Sequence, residues 1–275
     1  SESFVDDLFA DSRPSSSSTT TTESMIQRIV AGGYPEIQTR PLAERREAWF
    51  QSYVMTILQR DVRDMANIQN FTELPRLLRL IASRSGSLIN YADLSRDLGM
   101  PQTTLRRYLN LLEITFLIRR VPAWFSNIGK RLVKSPKIYL GDTGLLSHLL
   151  AANKDRIKND PALHGHLLEN FVALELLKQI SWSTINPQLH HFRTQAGSEV
   201  DFLLEDRAGR LVAIEVKRTA TIKTKDLRGI QTIREVAGAR FLRGCILYMG
   251  TNTVPFDSQV SALPISSLWT NATFE

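Results

Sequence analysis

The chain lacks most of the residue patterns that announce a chemistry by themselves. Among its 275 residues there is one cysteine, Cys245, set in an apolar run. One thiol cannot close an internal disulfide, which excludes a disulfide-stapled scaffold and points to a reducing, cytoplasmic setting. No apolar run is long enough to span a bilayer, and the first residues show no signal-peptide pattern, so no membrane association is expected. The phosphate-loop pattern G-x-x-x-x-G-K-[ST] is absent. The five histidines have no zinc spacing. His148 stands alone, His164 and His166 bracket Gly165, and the adjacent His190 and His191 would face opposite sides of a strand. Capping or substrate-facing roles suit His164 and His166 better than metal ligation. No Ser-His-Asp arrangement has supporting context.

What the chain does have is unevenly placed positive charge. It is 43% hydrophobic and 23% charged, the balance of a soluble globular protein with room for two modest domains. The net charge is +6, yet residues 101–140 alone hold eight Lys or Arg against one acid, Glu113, for a net of +7. An anionic partner follows, with nucleic acid the first candidate and DNA the expected one.

Residues 1–24 open with a short acidic and apolar piece, Phe4 to Phe9, and then a low-complexity tract, Ser15 to Thr22. That composition buries too little apolar surface to order itself, so flexibility is expected. Ser24 to Ala31 reads as an amphipathic helix stopped by Gly32-Gly33. A long helix from about Pro41 to Met65 and another over Glu73 to Ala82 follow. Asn90 can cap a helix carrying Tyr91, Leu94 and Leu98, closed by Gly99. Pro101 starts the next helix, where Leu105, Tyr108, Leu109 and Leu112 form one apolar face. Gln102, Thr103, Arg106, Arg107 and Asn110 are left outside. That layout is a helix-turn-helix with a polar, basic recognition face. Thr115 to Val121 and Lys137 to Leu140 can supply a β-wing, with Lys130, Arg131, Lys134 and Lys137 beside it. The competing reading is a helical hairpin whose basic residues simply stay solvated. Asp142-Thr143-Gly144 reads as a turn capping the helix Leu145–Ala151.

The remaining signal is Asp201 in Gly197 to Glu205, followed by Glu215 and Lys217 in Leu211 to Lys217. Both segments read as short strands joined by a polar turn. Residues two apart share a strand face, so Glu215 and Lys217 lie together. A carboxylate in an apolar strand is costly unless paired or bound to a metal. Two carboxylates and a lysine converging across neighbouring strands can hold Mg²⁺, or Mn²⁺, and orient a water. The bland alternative is a hairpin with ordinary surface charges. Glu199 shares the Asp201 face and is either a further ligand or a partner for Arg193 or Lys217.

Around that hairpin stand an apolar helix from His166 to Leu177, a strand at Leu189 to Arg193, a helix at Thr224 to Ala237 and a strand at Cys245 to Met249. This order resembles the core of the PD-(D/E)XK nuclease-like superfamily, although Val200 stands where that superfamily usually has proline. The resemblance implies catalytic roles for Asp201, Glu215 and Lys217, with Glu169 joining Asp201 and Glu215 as a metal ligand.

A second resemblance covers nearly the whole chain. It rests on Gly32-Gly33-Tyr34-Pro35-Glu36, Arg60-Asp61-Val62, Lys130-Arg131, Lys134 to Tyr139, Asp142-Thr143-Gly144-Leu145, His164-Gly165, Leu168-Glu169-Asn170, Glu199 to Phe202 and Ile214 to Lys217. Together these are similar to the C-terminal half of prokaryotic AAA-type ATPases that end in a domain of unknown function. The resemblance implies a preceding nucleotide-binding domain that alone would hold ATP, and assembly into a homo-oligomer through it. Residues 1–36 would be the tail of that module, 37–150 a helical and winged-helix domain, and 151–275 a nuclease-like α/β domain. The expected class is α+β to α/β. Three functions compete: a Mg²⁺-dependent DNA endonuclease, an inactive nuclease-like fold serving as a binding module for the ATPase, and a protein-interaction platform.

Overall fold

The computed structural model describes residues 3–10, 14–62, 73–125, 134–269 and 273–274. The fold is mixed α and β, about half helical, with a mixed sheet. The elements begin with α1 (Phe4–Phe9), β1 (Pro14–Ser15), α2 (Thr22–Ala31), α3 (Pro35–Gln38), α4 (Ala43–Thr56) and α5 (Glu73–Ala82). Next come α6 (Tyr91–Leu98), α7 (Gln102–Ile114), β2 (Ile118–Val121), β3 (Lys137–Leu140), α8 (Thr143–Leu149), α9 (Lys154–Asn159) and α10 (Pro161–Trp182). The chain continues through β4 (Gln188–Arg193), β5 (Glu199–Glu205), β6 (Leu211–Lys217), α11 (Arg228–Ala237), β7 (Phe241–Tyr248), β8 (Val254–Pro255), β9 (Val260–Pro264) and β10 (Thr273–Phe274).

Two compact units result, and neither is continuous in sequence. The first comprises 26–120 with 135–171; the second comprises 1–25, 121–134 and 172–275. Chain segments far apart in sequence share a core, which local composition does not report.

In the first unit α5 buries Leu74, Leu77, Leu78 and Ile81, the one-face spacing of an amphipathic helix. Each such side chain is worth about 1.5–3 kcal/mol of burial. Asn90 caps α6 by accepting from the Ala92 and Asp93 amides, and Gly99 ends it in the left-handed conformation at φ 66°. Leu105, Tyr108, Leu109 and Leu112 of α7 are buried as the spacing required. Residues 86–89 run beside β3: the Gly86 amide donates to Ile138 O at 2.6 Å and the Ile138 amide to Ser87 O at 3.1 Å. β2 pairs with β3 on its other side. The long helix expected from Pro41 to Met65 is instead α4 followed by a wider π-helical turn, Ile57–Val62. The last three positions of that expectation, 63–65, lie outside the described residues.

Polar side chains tie this unit together. The Asp142 carboxylate caps α8 through the Leu145 amide at 2.8 Å and accepts the Gly33 amide at 2.6 Å. Gly32 sits at φ 69°, and a Cβ there would collide with the same carboxylate. The Gly-Gly and Asp-Thr-Gly motifs are thus two halves of one contact. Asn170, fully buried, accepts from Ser85 Oγ at 2.5 Å and the Leu140 amide at 2.9 Å, and donates to Leu140 O at 3.1 Å.

The second unit is built on a six-stranded sheet in the order β4-β5-β6-β7-β9-β8. The pairs β4–β5, β5–β6 and β8–β9 are antiparallel, whereas β6–β7 and β7–β9 are parallel. Helix α11 covers one face through Ile230, Ile233 and Ala237, which join Leu203, Leu211, Ala213 and Ile246 in the core. Residues 122–124 run along β4, with the Trp124 amide donating to His191 O at 2.7 Å. Cys245 is buried in β7, and burial pushes its thiol up to about 12, which leaves it inert.

The Ser/Thr tract departs from expectation. β1 pairs with β10, the Ser16 amide donates to Thr253 Oγ1 at 2.9 Å, and the Ser18 amide donates to Thr251 O at 2.8 Å. Backbone pairing with distant residues holds it, and apolar content had no part in that. Among the described residues no helix is long and apolar enough to cross a membrane.

The contact between Gly33 and Asp142 makes a direct prediction. Asp142→Ala removes a helix cap and leaves the Gly33 amide without its acceptor. Urea unfolding should show a loss of about 2–4 kcal/mol. An unchanged midpoint would show that the contact is idle.

Candidate functional site

The site forms where the β5–β6 ladder ends. Phe202 is registered with Ile214. One residue further, the same register sets Asp201 against Glu215. There the Asp201 side chain takes over from the backbone: its Oδ2 accepts the Val216 amide at 2.9 Å. Alternation places Asp201 with Leu203 of β5, and Glu215 and Lys217 with Leu211 and Ala213 of β6, all on the face that α11 covers. The first turn of α11 closes against this end. Gly229 permits it, since a Cβ there would collide with Glu199 O.

Lys217 Nζ donates to Glu215 Oε1 at 2.6 Å. Glu215 Oε2 is buried and has no hydrogen-bond partner. Burial, and next the like charge of Asp201, push the Glu215 carboxyl up to about 8, against the opposing pull of Lys217. Burial lowers the Lys217 ammonium, but Glu215 and Asp201 outweigh it and hold the pKa above the usual lysine value. Glu199 lies 3.7 Å from Arg193 Nη1, so the expected partnership with Arg193 is present. The open end is a cleft of about 270 Å³ lined by Glu199, Glu215, Lys217, Lys225 and Arg228 among others.

The other residues singled out from the sequence are placed differently. Glu169 belongs to the first unit, where its Oε1 accepts from Lys137 Nζ at 3.0 Å and Tyr139 Oη at 2.8 Å. There its carboxylate is paired with Lys137. Lys137, expected on a DNA-facing surface, is 2% exposed and bound to Glu169. Glu169, Asn170 and Lys137 act as internal braces: Lys137 lies with Ile138 and Tyr139 on the buried strand β3, which charge counting does not see. Gln102, Thr103, Arg106 and Arg107 are all exposed on α7. The Arg106 guanidinium lies over the Tyr91 ring at 3.8 Å. Lys134 is exposed in the second unit, 5.9 Å from the Phe125 ring. Lys130 and Arg131 lie outside the described residues. His166 Nε2 is 3.3 Å from Ala82 O, an internal contact.

Among the described residues no group of three or more His, Cys, Asp or Glu is placed to hold a metal ion. The orphaned Glu215 Oε2 beside Asp201 nevertheless fits a divalent cation, because two carboxylates this close repel unless a proton or a cation separates them.

Comparison with known proteins follows the two regions. Residues 22–156 match the domain of unknown function DUF8612, and residues 164–268 match the domain of unknown function DUF4143. An uncharacterized protein of Mycobacterium tuberculosis is 34% identical over 247 residues, which is 89% of this chain and 53% of the relative. An uncharacterized protein of Mycobacterium bovis matches to the same extent. An uncharacterized protein of Haemophilus influenzae is 24% identical over 155 residues, 54% of this chain and 36% of its own length. The chain spans about half the length of the mycobacterial relatives it matches. No solved structure matches it.

The raised Glu215 pKa has a definite thermodynamic sign. The folded state keeps the proton up to about pH 8, whereas the unfolded chain releases it near the ordinary value of 4.5. The folded state therefore binds more protons across that window, and stability falls as pH rises through it, by at most about 1.4 kcal/mol per unit. Without added divalent cation, Glu215→Gln should flatten the stability profile between those limits. Parallel profiles for the two proteins would contradict the assignment.

Proposed function

We propose that this chain is the DNA-acting C-terminal part of an AAA-type ATPase, with a metal-dependent phosphodiesterase site at the end of the β5–β6 hairpin. The observation that carries this reading is the pairing of Asp201 with Glu215 on one strand face, with Lys217 beside them and Glu215 Oε2 left without a partner. Two carboxylates on one half-buried strand face repel unless a proton or a cation separates them, and groups perturbed in this way cluster at functional sites. In support of the ATPase connection, DUF4143 is commonly the C-terminal domain of AAA-ATPase-like proteins.

Asp201 and Glu215 would hold Mg²⁺ or Mn²⁺, and the cation, when bound, would supply charge neutralisation at the phosphate and a more acidic water. Lys217 is oriented by Glu215 toward the same cleft, where its ammonium can hold a phosphate oxygen or keep a water in line. In the first unit, the succession of α5, the 86–89 segment, α6, α7, β2 and β3 supports a winged helix. Its exposed α7 residues Gln102, Thr103, Arg106 and Arg107 would meet DNA, with the two arginines contacting phosphate.

One observation favours a second reading, the nuclease-like fold retained as a binding module. Glu169, the third acid of the implied ligand set, is already neutralised by Lys137. A supercoiled plasmid separates the two. The catalytic reading expects nicking that requires Mg²⁺ or Mn²⁺ and falls on the order of 100-fold or more in Asp201→Asn and in Lys217→Ala. Arg106→Glu with Arg107→Glu should weaken DNA binding and lower its salt dependence. Nicking that survives in Asp201→Asn would overturn the assignment of the site. Salt-dependent binding with no metal-dependent nicking would select the binding module.

A further inference from the structure

The cleft beside Glu215 carries positive charge that its own acids do not use. Each acid lining it is engaged elsewhere. Glu199 faces Arg193, Glu215 accepts from Lys217, and Asp226 Oδ2 accepts the Lys223 amide at 2.9 Å. Lys225 and Arg228 also line the cleft, are exposed, and make no ion pair or side-chain hydrogen bond with any described residue. Arg234 and Arg240, further along the same segment, differ. They face Asp257 at 2.7 Å and Glu205 at 4.0 Å.

The placement of these two cations has a structural cause. They are three residues apart, across the junction of the 3-10 turn Thr224–Leu227 with α11, so they fall on one side of the chain. Gly229 lets that turn press against the Glu199 backbone, which brings both to the cleft wall. Gly197, at φ 84°, also lines the cleft and has open space where a side chain would be. Lys225 and Arg228 thus share the cleft lining with Glu215 and Lys217, and among the described residues neither has a side-chain partner.

We propose that Lys225 and Arg228 are the strand-holding contacts of this cleft, gripping two phosphates of a nucleic-acid backbone whose scissile bond lies at Asp201 and Glu215. The proposal rests on the reading of the site as one acting on nucleic acid. Contacts to phosphate carry no sequence information, so binding through them is independent of sequence. This contact is separate from the one assigned to α7.

The test is the anisotropy of a labelled oligothymidylate with the whole chain in EDTA. The chain carries Arg106→Glu and Arg107→Glu, so that α7 does not mask the cleft. Adding Lys225→Ala and Arg228→Ala should weaken binding several-fold. It should also reduce the slope of log affinity against log salt by roughly 0.7 for each cation lost. Lys225→Arg with Arg228→Lys should restore both. Unchanged affinity and slope, no binding in this background, or competition by polyglutamate as strong as by unlabelled oligonucleotide would each overturn the proposal. Both side chains are exposed, so thermal unfolding should not move. Because EDTA prevents hydrolysis, a failure here is distinct from a failure of metal-dependent nicking.

Discussion

The second unit is constrained by two carboxylates that its sheet register forces onto one spot. Antiparallel pairing from Glu205–Leu211 to Phe202–Ile214 leaves Asp201 and Glu215 facing the same side one step later. Neither can turn away without moving the ladder, and the ladder is anchored by Leu203, Leu211 and Ala213 in the core beneath α11. The repulsion is relieved in three partial ways: Asp201 takes a backbone amide, Lys217 takes one Glu215 oxygen, and Glu215 tends to keep its proton. A divalent cation would relieve it more fully.

The first unit uses carboxylates and amides in the opposite way, as satisfied internal ties. Asp142, Asn170 and Glu169 each meet donors from segments distant in sequence. A buried polar group left unpaired costs more than the bond is worth, so these contacts also specify which segments come together. Gly32-Gly33 and Asp142-Thr143-Gly144, expected as a helix stop and a helix cap, meet in one of these ties.

Local signals were legible and tertiary ones were not. The Asn90 cap, the Gly99 stop and the apolar face of α7 rest on contacts within about one helical turn, and they stand as the spacing indicated. The alternation that paired Glu215 with Lys217, and the order of strands around them, were likewise readable. The Ser/Thr tract looked disordered because its partners, Thr251, Thr253 and Thr273, lie more than 200 residues away. Lys137 looked like a surface charge because nothing local to it shows the Glu169 carboxylate. β8 and β9 went unnoticed, since strands of two and five residues flanked by Asp257, Ser258 and Pro264 carry little periodicity. Lys225 and Arg228 were missed for a related reason: what distinguishes them is having no partner, and that is visible only once the other charges are paired.

The central claim is that Asp201 and Glu215 form a cation site. Its most direct measurement is the anomalous difference density of crystals soaked in Mn²⁺ above pH 8, where Glu215 is ionised. The account predicts a peak in contact with both carboxylates in the native protein and none there in Asp201→Asn. Native crystals without a peak at that position, or with Mn²⁺ bound only elsewhere, would contradict it.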